Sequence, residues 1–100
     1  MWGGLPPHQT KFRIMFYYVY ILRSLKDDNL YIGYTNNLRR RLTEHNSLKN
    51  RSTKARAPFK LVYFEAYLDQ EEAQKREENL KLRARALRQL KLRIKESLKK

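Results

Sequence analysis

The chain of 100 residues contains no cysteine, which excludes disulfide scaffolds, cysteine-based zinc sites and thiol nucleophiles together. Glycine and proline are scarce at three each, and from Gln70 to the end there is neither, so no breaker interrupts the C-terminal stretch. The longest uninterrupted apolar run, ending at Leu22, is far short of a membrane span, and no signal-peptide pattern precedes it. Acidic groups are few: ten Asp and Glu face 23 Lys and Arg, a formal charge of +13. What is present is aromatic: seven Tyr, four Phe and one Trp set the chain apart from disordered basic tails, which are poor in such residues. The expectation is one basic, cytoplasmic domain without a membrane partner.

The charge is unevenly placed. Residues 1–35 are net +2, residues 36–60 net +7, residues 61–70 net −2 and residues 71–100 net +6. Two basic blocks around an aromatic middle suit a polyanion, because each neutralised phosphate releases condensed counterions. They predict nucleic acid as partner, with strong salt sensitivity. Arg39, Arg40, Lys54 and Arg56, all in the 36–60 block, are the candidate phosphate contacts. A solubilising basic surface without activity is the competing reading of charge alone.

Residues 1–14 carry Gly-Gly and Pro-Pro without periodicity and read as a flexible extension; residues 15–100 form the domain. Phe16–Arg23 is dense in aromatic and β-branched residues and reads as a strand buried on both faces. Turn residues Ser24–Asn29 and a second such run, Leu30–Tyr34, complete a hairpin, with Gly33 marking a bulge or a close backbone approach. Asn36 or Asn37 caps a helix in which Leu38, Leu42 and Leu48 share a face. Arg39, Arg40 and Arg41 crowd its first turns against the macrodipole, an arrangement that an anionic ligand would relieve. Asn46–Ala57 is a basic loop, and Pro58 opens a third strand over Phe59–Tyr67. Asp69 and Glu72 form a capping-box signature for a helix from Gln70. Beyond it Ala73, Leu80, Ala84, Leu87, Ile94 and Leu98 recur at helical spacing if Glu77 and Lys91 fill the gaps; one long helix and two joined near Leu82–Arg85 fit equally. The fold class is α+β, a small three-stranded antiparallel sheet flanked by helices in the order β-β-α-β-α(-α).

Glu77 lies on the apolar stripe, where a carboxylate is costly unless it is paired or holds a cation. An ion pair with a neighbouring arginine and a Mg²⁺ ligand both fit. Tyr20 and Tyr31 sit in the hairpin strands, where packing is the ordinary role of tyrosine. Arg41 and His45 are four apart and share a helix face.

Taken together, Tyr18-Val-Tyr20, Tyr31-Ile-Gly33, Arg41, His45 and Glu77 within Glu72–Leu80 resemble the GIY-YIG nuclease superfamily. The resemblance runs from about Phe16 to at least Lys81 and is nearest to small stand-alone members akin to the N-terminal nuclease domain of the excision-repair nuclease. It implies a metal-dependent endonuclease, with Tyr20 as the general base that activates water and Tyr31 orienting the water or the phosphate. Gly33 would allow close packing beside the site, Arg41 steady the phosphate's charge, and His45 assist proton transfer. Glu77 would hold the Mg²⁺ or Mn²⁺ ion; that ion and Arg41 would together favour the Tyr20 phenolate. DNA is the implied substrate, DNA repair the implied setting, and an accessory protein one source of targeting. The sequence departs from the pattern at Tyr18, where the name-giving glycine stands, and at Tyr34, where excision-repair relatives carry lysine. A non-catalytic nucleic-acid-binding module on the same fold is the alternative, and an aromatic platform for single-stranded RNA is a third. Against the third stand hairpin strands apolar at nearly every position, as in a sheet covered on both faces.

Overall fold

A computed structural model describes residues 14–47 and 53–100. The extension expected over residues 1–14, Ile14 apart, and the apolar position Leu48 lie outside the described residues. Strands β1 (Tyr17–Ser24) and β2 (Leu30–Thr35) form the expected hairpin; α1 (Leu38–Asn46) follows, then a short 3-10 turn (Lys54–Arg56), β3 (Phe59–Tyr67), α2 (Gln70–Leu82), α3 (Ala84–Arg93) and a last 3-10 turn (Ser97–Lys99). The sheet is antiparallel in the order β2-β1-β3, so β1 is central. The fold is therefore the α+β architecture read from the sequence. Among the described residues no helix is long and apolar enough to cross a membrane.

The hairpin turn is built on polar side chains. Asp28 adopts the left-handed region (φ 62°), which aspartate tolerates better than most residues. The buried Ser24 hydroxyl accepts from the amides of Lys26 and Asp27 (both 3.1 Å) and donates to the Arg56 carbonyl (2.6 Å), tying the turn to the segment before β3. Asn46 clamps the entry to β3 in both directions: its carbonyl oxygen accepts from the Phe59 amide and its Nδ2 donates to the Phe59 carbonyl.

Alternation along β1 divides the molecule into two cores. Val19 and Ile21 face α2 and α3, where Ala73, Leu80, Leu90 and Ile94 complete the larger cluster. Tyr20 and Leu22 face the other way, packing with Phe59, Leu38 and Leu42 under α1. A bulge in β3 adjusts this division. Ile21 pairs with Tyr63 but Leu22 with Leu61, so Val62 is the extra residue. The side-chain phase of β3 shifts there, and Phe59 and Leu61 join Phe64 and Ala66 on the face that Tyr20 occupies.

Two expectations change. Coverage of the sheet on both faces does not extend along its whole length, since Phe64 is 48% exposed beside Tyr18. The C-terminal stripe also breaks: Arg83 is extended (φ −118°, ψ 103°) and separates two helices. Its amide donates to the Asn79 carbonyl, and its own carbonyl accepts from Ala86, so both helix ends are closed without glycine or proline. The extended residue resets the helical phase, which leaves Ala84 and Lys91 exposed and buries Leu90.

On the α2 side of β3, Glu65 is a hub. Arg76 grips its carboxylate through Nε and Nη2 (2.9–3.1 Å), and the hydroxyls of Tyr63 and Tyr67 donate to it (2.7 and 2.6 Å). Burial pushes the Glu65 carboxyl upward, but the Arg76 and tyrosine bonds outweigh it and hold it below its ordinary 4.5. The same donation raises both tyrosines, together with burial, to about 12. Because the folded value is lowered, the hub's stabilisation is complete above the ordinary carboxylate value and is lost as pH falls through the folded one. Glu65→Gln is expected to lower the thermal midpoint at pH 7 by about 5–10 °C, from ~1–2 kcal/mol of lost charge-assisted bonding. The gap from wild type should narrow below pH 4 in thermal unfolding followed by circular dichroism; a gap that stays constant with pH would show that the carboxylate's charge is immaterial.

Candidate active site

The Tyr20-bearing face of the sheet carries a cluster of polar and aromatic groups. Registration places Tyr20 opposite Gly33 on β2 and Phe64 on β3, while Tyr31 lies opposite Leu22. All of these point to one face by the strand's two-residue period. Helix α1 brings the remaining groups. Asn37, rather than Asn36, caps it by accepting from the Arg40 amide (3.0 Å), and Leu38 and Leu42 anchor it to the sheet. The same face carries Arg41 and His45 one turn apart.

His45 is fully buried (0% exposed). Its Nε2 lies 3.0 Å from the Tyr20 hydroxyl, and its Nδ1 lies 2.7 Å from Oγ1 of buried Thr53. Its ring stands edge-to-face against Tyr31 with centroids 4.9 Å apart, and against Phe59 at 5.8 Å. Burial, then the Arg41 charge, lowers its pKa below the ordinary 6.5, Glu44 opposing weakly, so the imidazole is neutral at pH 7. One ring nitrogen then accepts and the other donates.

Tyr20 is itself only 1% exposed. Burial is the largest influence on its hydroxyl and raises it to about 12, with the charges of Tyr31 and Glu77 adding to the rise; Arg41 pulls the other way. Arg41 thus favours the phenolate, as expected of it, but desolvation exceeds its pull. Burial works against the Arg41 charge, but the nearby Tyr20 hydroxyl and the Glu44 carboxylate, bonded at 2.9 Å, outweigh it and keep the guanidinium charged.

Gly33 explains how Tyr20 fits. A β-carbon there would overlap the Tyr20 ring at Cζ and the hydroxyl oxygen. The backbone of β2 thus serves as a floor for the tyrosine, and the close approach expected at this glycine is present.

The other sequence candidates are placed as follows. Arg39 and Arg40 are exposed on α1, and Lys54 is exposed in the 3-10 turn. Arg56 is engaged within the protein: its Nε pairs with Asp27 (3.3 Å), its Nη2 donates to the Leu30 carbonyl, and its guanidinium lies 5.8 Å from the Phe59 ring centre. Glu77 is half-buried on α2, which packs on β1 and β2, and its partner is Lys81 (3.0 Å), not an arginine. The structure thus brings Tyr20, Tyr31 and His45 into contact range, with Arg41 one turn from His45 on α1, while the ion pair of Glu77 is with Lys81.

Two participants carry little or no mark in the sequence. Thr53 sits in a polar basic loop where nothing singles out a hydroxyl for burial. Glu44, four residues after Arg40 and three after Arg41, pairs with both (3.9 and 2.9 Å), a spacing that could have signalled it. It relieves part of the charge crowding at the start of α1 without any anionic ligand.

Gly33→Ala is expected to cost about 1–3 kcal/mol in denaturant unfolding by overpacking. In a Tyr20→Ala background the same change should cost far less, because the obstructing ring is gone. Equal costs in both backgrounds would mean that the glycine serves some other purpose.

The GIY-YIG catalytic domain family model matches residues 16–91. The chain is similar to the UPF0213 protein CPE1444 of Clostridium perfringens, 49% identical over 65 residues that cover 64% of this chain and 69% of that one. It is also similar to a UPF0213 protein of Streptococcus pneumoniae, 45% identical over 68% of this chain and 69% of that one. Among solved structures it resembles the solution NMR structure of the UPF0213 protein BH0048 from Bacillus halodurans, with 42% identity, a TM-score of 0.48, and coverage of 76% of this chain and 82% of that one. The relatives' names state no activity.

Proposed function

The chain belongs to the GIY-YIG catalytic domain family, nuclease-type proteins that act on nucleic acid, and from that membership we propose that it is a metal-dependent endonuclease hydrolysing DNA phosphodiesters. The observation that carries the reading is the Tyr20–His45–Thr53 chain of hydrogen bonds beside Tyr31 and Arg41.

Hydrolysis of a phosphodiester needs a deprotonated water in line with the leaving oxygen and positive charge on the non-bridging oxygens. Tyr20 is the base in this reading. Nδ1–H of His45 donates to Thr53 and Nε2 accepts from the Tyr20 hydroxyl, and the tyrosine loses its proton to solvent before the reacting water binds. The phenolate then takes a proton from the attacking water, and hydroxide displaces the leaving oxygen at phosphorus. Tyr31, less buried than Tyr20, orients the water or the phosphate. Arg41, exchanging Glu44 for a phosphate oxygen, neutralises the developing charge.

The residues present fit a hard divalent cation of the kind that retains most of its water. Among the described residues no three acidic or imidazole side chains converge as a metal cage. Mg²⁺ or Mn²⁺ needs only one or two carboxylates when phosphate supplies the rest, and Glu77 is a half-buried carboxylate whose charge is felt at Tyr20. Bound there, the cation would supply charge that favours the phenolate and the leaving oxygen.

Plasmid nicking at low salt is expected with Mg²⁺ or Mn²⁺, to be absent in EDTA, and to fall by at least about 100-fold in Glu77→Ala while gel-shift binding survives. Binding without cleavage under every metal would leave a nucleic-acid-binding module on this fold. Cleavage undiminished in the variant would remove Glu77 from the metal's shell.

The active form of Tyr20 is deprotonated and its folded value stands near 12. Single-turnover rates should therefore rise with pH, close to tenfold per unit between pH 6 and 8. A rate flat across that range would mean that the bound cation already holds Tyr20 deprotonated or that another group is the base, and a Tyr20→Phe variant that keeps the wild-type rate would exclude Tyr20.

A further inference from the structure

We propose that Tyr18 and Phe64 form a stacking subsite for an unpaired base of the DNA strand next to the phosphate that is cut; the inference deepens the nuclease reading and rests on it for the identity of the substrate. Helix α1 covers one end of the Tyr20 face, over Leu22, Phe59 and Leu61. Among the described residues no helix covers the other end. There Phe64 is 48% exposed and Tyr18 only partly covered, with ring centroids 5.8 Å apart and planes 69° to one another. A single exposed phenylalanine needs no explanation, but this one has a particular position. Phe64 is the cross-strand partner of Tyr20, and Tyr18 is two residues from Tyr20 on the same strand, so both flank the tyrosine on its own face.

The charge around it selects the occupant. Tyr18 pairs across the sheet with Thr35, the last residue of β2. From there the chain enters directly the block of net +7 that begins with Asn36 and includes exposed Arg39 and Arg40. An aromatic surface whose cross-strand neighbour leads into a cationic stretch, on a chain of charge +13, is suited to a polyanion that carries flat rings, and not to an apolar peptide or a second copy of the chain. Nucleobases stack on aromatic side chains whatever their sequence, but only when they have left the duplex stack. The edge-to-face Tyr18 ring holds Phe64 in place, and the face of Phe64 takes the base. Substrates with unpaired bases at the cut, such as flaps, gaps or single strands, should then be preferred over intact duplex.

The test uses the full chain in EDTA, so that binding is read without cleavage. The probe is a single-stranded oligodeoxynucleotide carrying 2-aminopurine, compared with the same oligonucleotide in a matched duplex. Wild type is expected to quench the single-stranded probe and to bind it more tightly than the duplex. Phe64→Ala should lose the quenching and about tenfold in single-strand affinity, and Phe64→Trp should restore both, which separates stacking from damage to the fold. Unchanged quenching and affinity in Phe64→Ala would overturn the subsite even if wild type cleaves DNA with metal. Quenching that depends on Phe64 in a protein that cleaves nothing would keep the subsite and remove the nuclease.

Discussion

The contact on which the site depends is the Tyr20 ring lying against the bare backbone of Gly33. It settles where the hydroxyl ends up: deep in the sheet face, within reach of His45. Through that one hydrogen bond the central strand is joined to α1, and through Thr53 to the segment before β3. Three elements distant in sequence thus meet at one imidazole. A side chain on β2 at this point would push the ring outward and separate them. The same burial that positions the tyrosine also raises its pKa, so the position itself favours the protonated hydroxyl.

The larger core and most of the candidate site lie on opposite faces of the sheet, Glu77 of α2 being the exception. The larger apolar cluster, the Glu65 hub and the docking of α2 and α3 lie on one side; the neutral imidazole, the two tyrosines and Arg41 lie on the other. Polar groups on the second side are satisfied pairwise rather than by a large core, which suits a surface that must exchange partners with a substrate. Glu44 illustrates the point: it occupies Arg41 at 2.9 Å in the free protein.

The order of elements is readable because each one follows a simple period or cap: the aromatic runs of β1 and β2, the Asp69 cap that accepts from Glu72, and the turn residues between strands. The quartet Tyr20, Tyr31, Arg41 and His45 is singled out in the sequence by its resemblance to the GIY-YIG pattern; spacing accounts only for the two pairs, since the short hairpin returns β2 alongside β1 and four residues return a helix to its own face. Other features have no such signature. The break at Arg83 is made by an extended backbone among residues of good helix propensity, closed by Asn79. The burial of Thr53 depends on a tertiary partner, His45. The bulge at Val62 falls within a run whose residues, Leu61, Val62, Tyr63 and Phe64, are apolar on either face, so alternation carries no phase there.

That bulge has a consequence for how such a protein can change over generations. It splits β3 into two stretches on the Tyr20 face, Phe59 and Leu61 locked under α1 and Phe64 and Ala66 free of it. Replacements in the first stretch must preserve a packed interior. Those in the second fall on exposed positions, Phe64 and Ala66, so the surface beside Tyr20 is able to diversify while the framework holding that tyrosine stays fixed.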